Sequence, residues 1–253
     1  HCGVMGWVDT HCHLQLDERA PEALLERATS VDWLVAPGVD LSSSLASLEL
    51  ANRHPTKVLA TAGLHPHDAQ LWPEQASAIS DLVPQVSAVG ETGLDFYRNL
   101  APRQAQLDSF RAHIDLSLAH SKPLIVHTRD AFAEVFELIE TTEVGPLTVL
   151  HCWTGGPRWT KRFLGTGATF SFAGPVAFET GDTVRLGAAL VPPERAVVET
   201  DTPYLAPPPH RGELNEPEWV SLVGRALARV WGMEPNVVAD VTSTNAARVF
   251  GRS

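Results

Sequence analysis

The sequence predicts an α/β fold, a TIM-like (β/α)8 barrel with a metal site at the C-terminal face of its strands. Three observations lead to this. Short apolar runs of the buried-strand type alternate with helical patterns along the whole chain. The length, 253 residues, suits a barrel, which typically takes roughly 250. Histidines and carboxylates recur just after the apolar runs, where barrel active sites lie.

Gly6 to Thr10 reads as the first strand and Pro21 to Ala28 as a short helix. Val31 to Val35 is a second apolar run, stopped by Pro37-Gly38, and Ser42 to Asn52 is helical with Leu45, Leu48 and Ala51 or Asn52 at helical spacing. Lys57 to Ala62 is a third strand, and Pro73 to Leu82 a helix with proline near its start, where a missing amide costs little. Val86 to Val89 is the fourth strand. The helix from about Pro102 to His120 carries Leu107, Phe110, Ile114 and Leu118 on its expected inner face. Leu124 to Val126 is the fifth, with Asp130 placed to cap the helix Ala131 to Ile139. Leu147 to Leu150 is the sixth, and Pro157 opens another helix. Ala168 to Phe172 is the seventh, followed by a helix from about Thr180 to Leu190 that Pro192-Pro193 ends. Ala196 to Val198 is the eighth. A helix with Trp219, Leu222, Ala226 and Val230 inward and a last helical segment near Phe250 complete the pattern.

An open doubly wound sheet is the structural alternative, but neither G-x-G-x-x-G nor a P-loop signature is present. With no internal repeat or low-complexity linker, residues 1–253 are read as one domain, for which 44% hydrophobic content supplies a sizeable core.

Charge narrows the function classes. With 19 basic and 30 acidic residues the net charge is -11, so no general attraction to nucleic acid or anionic membrane is expected. A phosphate-bearing substrate then needs a local positive site, which bound metal ions can provide. Cys2, Cys12 and Cys152 lack finger-like spacing, so neither a disulfide framework nor a structural zinc knot is indicated. A reducing cytoplasm fits this usage. No apolar run reaches the roughly 20 residues a membrane helix needs, and no signal-peptide pattern precedes the first strand. No membrane partner is expected, and a monomer is favoured.

The chemistry-bearing residues share one topological position. His11 and His13 end strand one, His65 follows strand three, Glu91 strand four, His127 strand five, His151 strand six and Asp201 strand eight. Any one of them alone reads as an ordinary hydrogen-bonded or turn-forming residue. Independent structural residues, however, have no reason to select the same end of six strands. On strand one, alternation sends His11 and His13 to one face and Cys12 to the other, where a buried thiol packs as a small apolar group. Asp9, on the same face as His11, is a candidate partner behind the ligands.

The motifs Val8-Asp9-Thr10-His11-Cys12-His13-Leu14, Gly63-Leu64-His65-Pro66-His67, Gly90-Glu91-Thr92-Gly93-Leu94-Asp95, Val126-His127-Thr128-Arg129, Leu150-His151-Cys152 and Glu199-Thr200-Asp201-Thr202-Pro203-Tyr204-Leu205 together resemble the TatD family of metal-dependent hydrolases, as does Asn245-Ala246-Ala247-Arg248-Val249-Phe250 near the end. The resemblance runs from about Val8 to Gly251. It implies a 3′-5′ exonuclease-like deoxyribonuclease, or another phosphodiesterase, acting on single-stranded DNA, a DNA strand end, a short oligonucleotide or another phosphoester.

It further implies two divalent metal ions, Zn2+, Mg2+ or Mn2+: one on His11, His13 and Asp201, a second on His127 and His151, with Glu91 bridging. Two such ions can hold a phosphodiester, generate hydroxide and stabilise the leaving oxygen. Many amidohydrolases bridge their metals with a carboxylated lysine, but Lys57, Lys122 and Lys161 do not fall where that ligand is needed. Asp201 is the candidate to accept a proton from the attacking water, the other reading being a ligand with no proton role. His65 is expected to contact a substrate phosphate oxygen, with His67, Arg98 and Arg129 as helpers. Arg129 is equally placed to pair with a carboxylate, and Arg98 to be a solvated loop charge. Asp95 is expected to orient a histidine from behind. Tyr97 and Trp153 are candidates either to stack a base or to pack.

In Arg211-Gly212-Glu213-Leu214-Asn215-Glu216-Pro217 the middle pair, often basic in the family, is Glu213-Leu214, which disfavours extended polynucleotide binding. Two other functions are compatible with the residues: a hydrolase of the same barrel acting on a lactone, amide or phosphotriester, and a non-catalytic metal-binding scaffold.

Overall fold

The computed structural model describes residues 6–252, so Cys2 lies outside the described residues. Eight parallel strands run in chain order through one sheet, with helices between them, which is the TIM-like (β/α)8 barrel. By internal contacts the chain forms two compact units.

The first unit is made of the described residues of His1–Ala36, Cys152–Lys161 and Phe170–Ser253. Strand β1 (Trp7–Asp9) pairs with β2 (Val31–Ala36), the short helix α1 (Pro21–Arg27) joining them. Strand β7 (Thr169–Phe172) pairs with β8 (Ala196–Val198). Helices α7 (Asp182–Ala188), α8 (Val220–Trp231) and α9 (Pro235–Val249) complete the unit. The inner face of α8 is Val220, Val223, Gly224, Ala226 and Leu227, not the expected stripe through Trp219, Leu222 and Val230, which are only half-buried. Gly224 explains the rotation: a Cβ there would lie 2.0 Å from the Trp7 ring, so the helix presents its one bare backbone position to the bulkiest β1 side chain.

The second unit is Pro37–His151 with Arg162–Thr169. It holds β3 (Val58–Ala62), β4 (Ala88–Asp95), β5 (Leu124–Arg129) and β6 (Thr148–Leu150), paired in that order, with α2 (Leu41–Arg53), α3 (Trp72–Leu82), α4 (Arg103–His120) and α5 (Phe132–Thr141) between them. The remaining helix, α6, spans Pro157–Leu164. A reciprocal capping box starts α2: Asp40 Oδ1 accepts from the Ser43 amide at 2.7 Å, and Ser43 Oγ accepts from the Asp40 amide at 3.0 Å.

Three expectations are corrected in this unit. Leu45 on α2 is 50% exposed, and the buried face is Ser43, Ser44, Ser47 and Leu50. Small residues let the helix approach closely, and Ser44 Oγ accepts from the Gly63 amide in the loop that leads to His65. On α4, Leu118 is 38% exposed while Gln106, Ser109, Phe110, His113, Ile114 and Ser117 are buried; Gln106, His113 and Ser117 each make a side-chain hydrogen bond inside. Asp130 does not cap α5. It takes a positive φ of 52°, and the N-cap is Ala131 without a side-chain bond.

Strands β4 and β5 also run further than their apolar runs, so that Glu91 and His127 lie within strands rather than after them. The pairing register shifts between Val89 and Thr92, and two glycines make that possible. Gly90 (φ 124°) and Gly93 (φ 136°) adopt backbone that L side chains rarely reach, and a Cβ on Gly93 would fall 2.0 Å from the His127 carbonyl oxygen. In α7 the helical run is shorter than expected at both ends.

Candidate metal centre

In the first unit, the chain beyond β1 is laced to the chain beyond β8. The Asp201 amide donates to the His11 carbonyl at 2.9 Å and the His13 amide to the Thr202 carbonyl at 2.9 Å, while the Cys12 amide donates across to Val35. This pairing extends the β alternation. His11 and His13 therefore turn their imidazoles to one side, with Nε2 atoms 3.1 Å apart, and Asp201 Oδ1 stands 3.8 Å and 3.5 Å from them. Asp201 sits at φ 60°, a conformation aspartate tolerates better than most residues. Cys12 is wholly buried and burial pushes its thiol well above the ordinary range, consistent with packing rather than ligation.

Asp9 is buried behind this group. Its carboxylate accepts from the Thr200 amide (2.9 Å), the Thr200 hydroxyl (2.6 Å) and the His11 amide (3.3 Å). Its contacts are thus to the backbone that carries His11 and Asp201. Burial lifts its pKa to about 8 despite those three bonds.

The second unit centres on Glu91, 2% exposed. Its amide donates to Gly38 at 2.7 Å, and the neighbouring Val39 carbonyl accepts from the His65 amide at 2.8 Å, so one turn after β2 fixes both residues. Glu91 Oε1 meets three imidazoles: His127 Nδ1 at 3.1 Å, His65 Nε2 at 3.4 Å and His151 Nε2 at 3.7 Å. His65, Glu91 and His127 offer ligand atoms within 4.8 Å of one another, a donor set of the kind divalent transition metals take. Thus His65, expected as a phosphate contact, shares the carboxylate with the expected ligand His127. Its pKa falls to about 4 because burial outweighs the nearby Glu91 charge, which keeps it a neutral imidazole.

Asp95 stands behind His127. Its Oδ2 is 3.2 Å from His127 Nε2 and 2.8 Å from His67 Nε2, and Oδ1 accepts from the Arg98 amide at 2.8 Å. Burial alone would raise the Asp95 pKa, but these bonds hold it well below the carboxylate range. Burial likewise opposes protonation of His127, and its bonds to Asp95 and Glu91 prevail and raise its pKa. His67 is therefore occupied by Asp95. His113, on α4, is structural: it accepts from the Leu64 amide at 3.0 Å and its Nδ1 is 2.7 Å from the Ser109 carbonyl.

Of the remaining candidates, Trp153 is buried, donates through Nε1 to Thr160 at 2.9 Å and packs edge-on against Phe170, so it is not a stacking surface. Tyr97 is 61% exposed. The exposed Arg129 lies over its ring, 4.0 Å from the centroid, rather than against a carboxylate, and Arg98 is exposed.

Two residues escaped the sequence reading. Glu199 is 1% exposed, accepts from the Cys152 amide at 2.9 Å and from the Ser171 hydroxyl, and Ser171 Oγ is 3.1 Å from Thr10 Oγ1. It thereby holds Cys152, at φ 43°, directly after His151. Asn215 donates through Nδ2 to the Thr200 and Tyr204 carbonyls, at 2.8 Å and 2.6 Å, bracketing Asp201. Both stood inside segments that resemble the family, Glu199 in the run to Leu205 and Asn215 in Arg211 to Pro217, but neither was singled out. A cavity of about 600 Å³ lined by Val176, Asp182, Arg185, Leu186 and Arg229 includes none of the candidate ligands.

The family model described as TatD related DNase matches residues 8–251. The chain belongs to the TatD family. A TatD metal-dependent hydrolase of Mycobacterium tuberculosis is 35% identical over 258 residues, covering 96% of this chain and 97% of that protein. The metal-dependent hydrolase YcfH of Escherichia coli is 35% identical over 253 residues, with 96% and 95% covered. A protein of Citrobacter rodentium named 3′-5′ ssDNA/RNA exonuclease TatD is 34% identical, with 88% of each chain covered. The crystal structure of the Escherichia coli TatD homologue YJJV superposes with a TM-score of 0.91 at 23% identity, covering 98% of this chain and 99% of that one. This TatD-family chain is thus a hydrolase of a metal-dependent family. No helix among its described residues is long and apolar enough to cross a membrane.

Proposed function

We propose that the chain, acting as one catalytic domain, is a metal-dependent phosphodiesterase: a 3′-5′ exonuclease-like deoxyribonuclease on single-stranded DNA or short oligonucleotides. The observation that carries this reading is Glu91, a buried carboxylate whose single oxygen faces three imidazoles at 3.1, 3.4 and 3.7 Å. Exonuclease-named relatives support the choice of substrate.

In this reading His11, His13 and Asp201 would hold one divalent ion and His127 and His151 a second, with Glu91 as the carboxylate that would serve both. Bound there, Zn2+, Mg2+ or Mn2+ would polarise the phosphodiester, lower the pKa of water and stabilise the leaving oxygen. The protein's own groups do the rest. Asp201 accepts the proton of the attacking water. Neutral His65 donates a hydrogen bond to a phosphate oxygen. Asp95 fixes the His127 ring, and Asp9 fixes the backbone that aims His11. With a chain charge of -11, the substrate is held by a small, local set of groups rather than by an extended basic groove.

The test is hydrolysis of single-stranded DNA, double-stranded DNA and RNA across a metal series. Release of nucleotide from single-stranded DNA that needs a divalent ion, runs from the 3′ end and is abolished by His151→Ala is expected. Equal release by wild type and H151A, or turnover only of lactone or phosphotriester probes, would overturn the reading.

A further inference from the structure

Just beyond Asp95 the chain builds a small rigid platform. The Phe96 amide donates to the Arg129 carbonyl at 2.9 Å, the Arg98 amide to Asp95 Oδ1 at 2.8 Å and the Asn99 amide to the Asp95 carbonyl at 3.2 Å. The Arg103 guanidinium covers the Phe96 ring at 4.2 Å, so Phe96 is pinned from its other side. These contacts leave Tyr97 displayed: 61% exposed, with Arg129 over one face at 4.0 Å.

Register places the platform beside the candidate metal centre. Gly93 pairs with His127 and Asp95 with Arg129, and two residues along a strand span about 7 Å. Arg129 therefore points to the same side of β5 as His127, one side-chain step further out. An exposed aromatic ring on a hydrogen-bonded turn, with the Arg129 guanidinium over one face and the exposed Arg98 next to it in sequence, gathers positive charge locally in a chain with 30 acidic and only 19 basic residues. Stacking on arginine leaves the guanidinium edges free to bind phosphate.

We propose that Tyr97, Arg129 and Arg98 form a nucleotide subsite, in which Tyr97 stacks the base next to the scissile phosphate and the two guanidinium groups bind the flanking phosphate. This rests on the reading of the chain as a phosphodiesterase and deepens it: the substrate is a base-bearing strand end, not a bare phosphoester. Stacking reads the π-face and not the sugar, so DNA and RNA are held alike at this subsite.

Binding of cleavage-resistant phosphorothioate tetranucleotides to the metal-loaded protein tests it by fluorescence anisotropy, with each base in turn replaced by an abasic site. In wild type one abasic position weakens binding about tenfold. Tyr97→Ala abolishes that difference, Tyr97→Phe preserves it, and both hold for DNA and RNA. Arg129→Gln weakens base-bearing and abasic strands together and lowers the salt dependence by about one phosphate contact. The subsite is overturned if no abasic position matters in wild type, if Y97A keeps the wild-type difference, or if the effect is confined to one sugar. Ordinary tetranucleotides separate the two readings. Should they resist hydrolysis with every metal while Y97A still erases the abasic difference, the catalytic reading fails and the subsite stands. Should they be cleaved while the difference survives in Y97A, the reverse holds.

Discussion

His67 Nε2 lies 2.8 Å from Asp95 Oδ2, the same oxygen that stands 3.2 Å from His127 Nε2. One buried carboxylate oxygen thus orients two rings, of which only His127 turns its other nitrogen to Glu91, at 3.1 Å. Asp95→Asn keeps the shape but swaps an acceptor of two imidazole N–H groups for an amide. Groups behind metal ligands are typically worth about 10 to 100-fold in affinity or activity. D95N is therefore expected to lose metal and kcat in that range, read by metal analysis and steady-state kinetics, and to melt lower at neutral pH because the bonds that depress the Asp95 pKa also stabilise the fold.

Gly93 tolerates no side chain. A Cβ would lie 2.0 Å from the His127 carbonyl oxygen, on a residue whose φ is 136°. Both penalties fall on backbone, so relief requires β4 and β5 to move apart. Gly93→Ala should destabilise the fold by about 2 kcal/mol or more in urea unfolding, and lower divalent-metal affinity in whatever fraction folds.

His113 makes stability depend on pH. Burial lowers its pKa to about 4, against an ordinary value of 6.5, so the unfolded chain binds the proton first as pH falls. Stability should be complete above pH 6.5 and decline between 6.5 and 4, by at most about 3 kcal/mol from this residue. His65 acts with the same sign over the same window. The measurement is therefore the difference in unfolding free energy between wild type and His113→Gln, which should narrow as pH falls; a parallel offset at every pH would contradict it.

Glu199 should matter more for the His151 turn than for the core. Glu199→Gln retains an oxygen for the Cys152 amide and presents an NH2 group to Ser171, whereas Glu199→Ala loses both contacts. E199A is expected to cost about ten times more activity than E199Q, compared as kcat at saturating metal.

The fold and the positions of the candidate ligands were legible in sequence for the same physical reason. Apolar runs mark strands, and residues after them must lie at strand ends, so His11, His65, His151 and Asp201 could be placed without coordinates. Helix faces were less legible. Leu45 and Leu118 fit an apolar stripe, yet the inward faces carry serines, Gln106 and His113, several of which have a specific partner inside: Ser44 the Gly63 amide, Gln106 the Asp95 backbone, His113 the Leu64 amide and Ser117 the Lys122 carbonyl. Periodicity cannot see such partners. Nor can it see Asn215 reaching two carbonyls on either side of Asp201, or Glu199 bonded to Ser171, because both depend on contacts far apart in sequence. Trp153 and Tyr97 looked alike as aromatic residues near strand ends; only burial separates the packed ring from the displayed one.

Lys122 gives its ammonium group to the carbonyls of Val83, Pro84 and Val86, while Lys57 and Lys161 face solvent. On the proposed ligand set the bridging carboxylate is thus encoded in the chain as Glu91 and not assembled from a lysine and dissolved carbon dioxide. Metal loading should proceed equally fast in degassed, bicarbonate-free buffer, and the active centre should be indifferent to the carbon dioxide content of its surroundings.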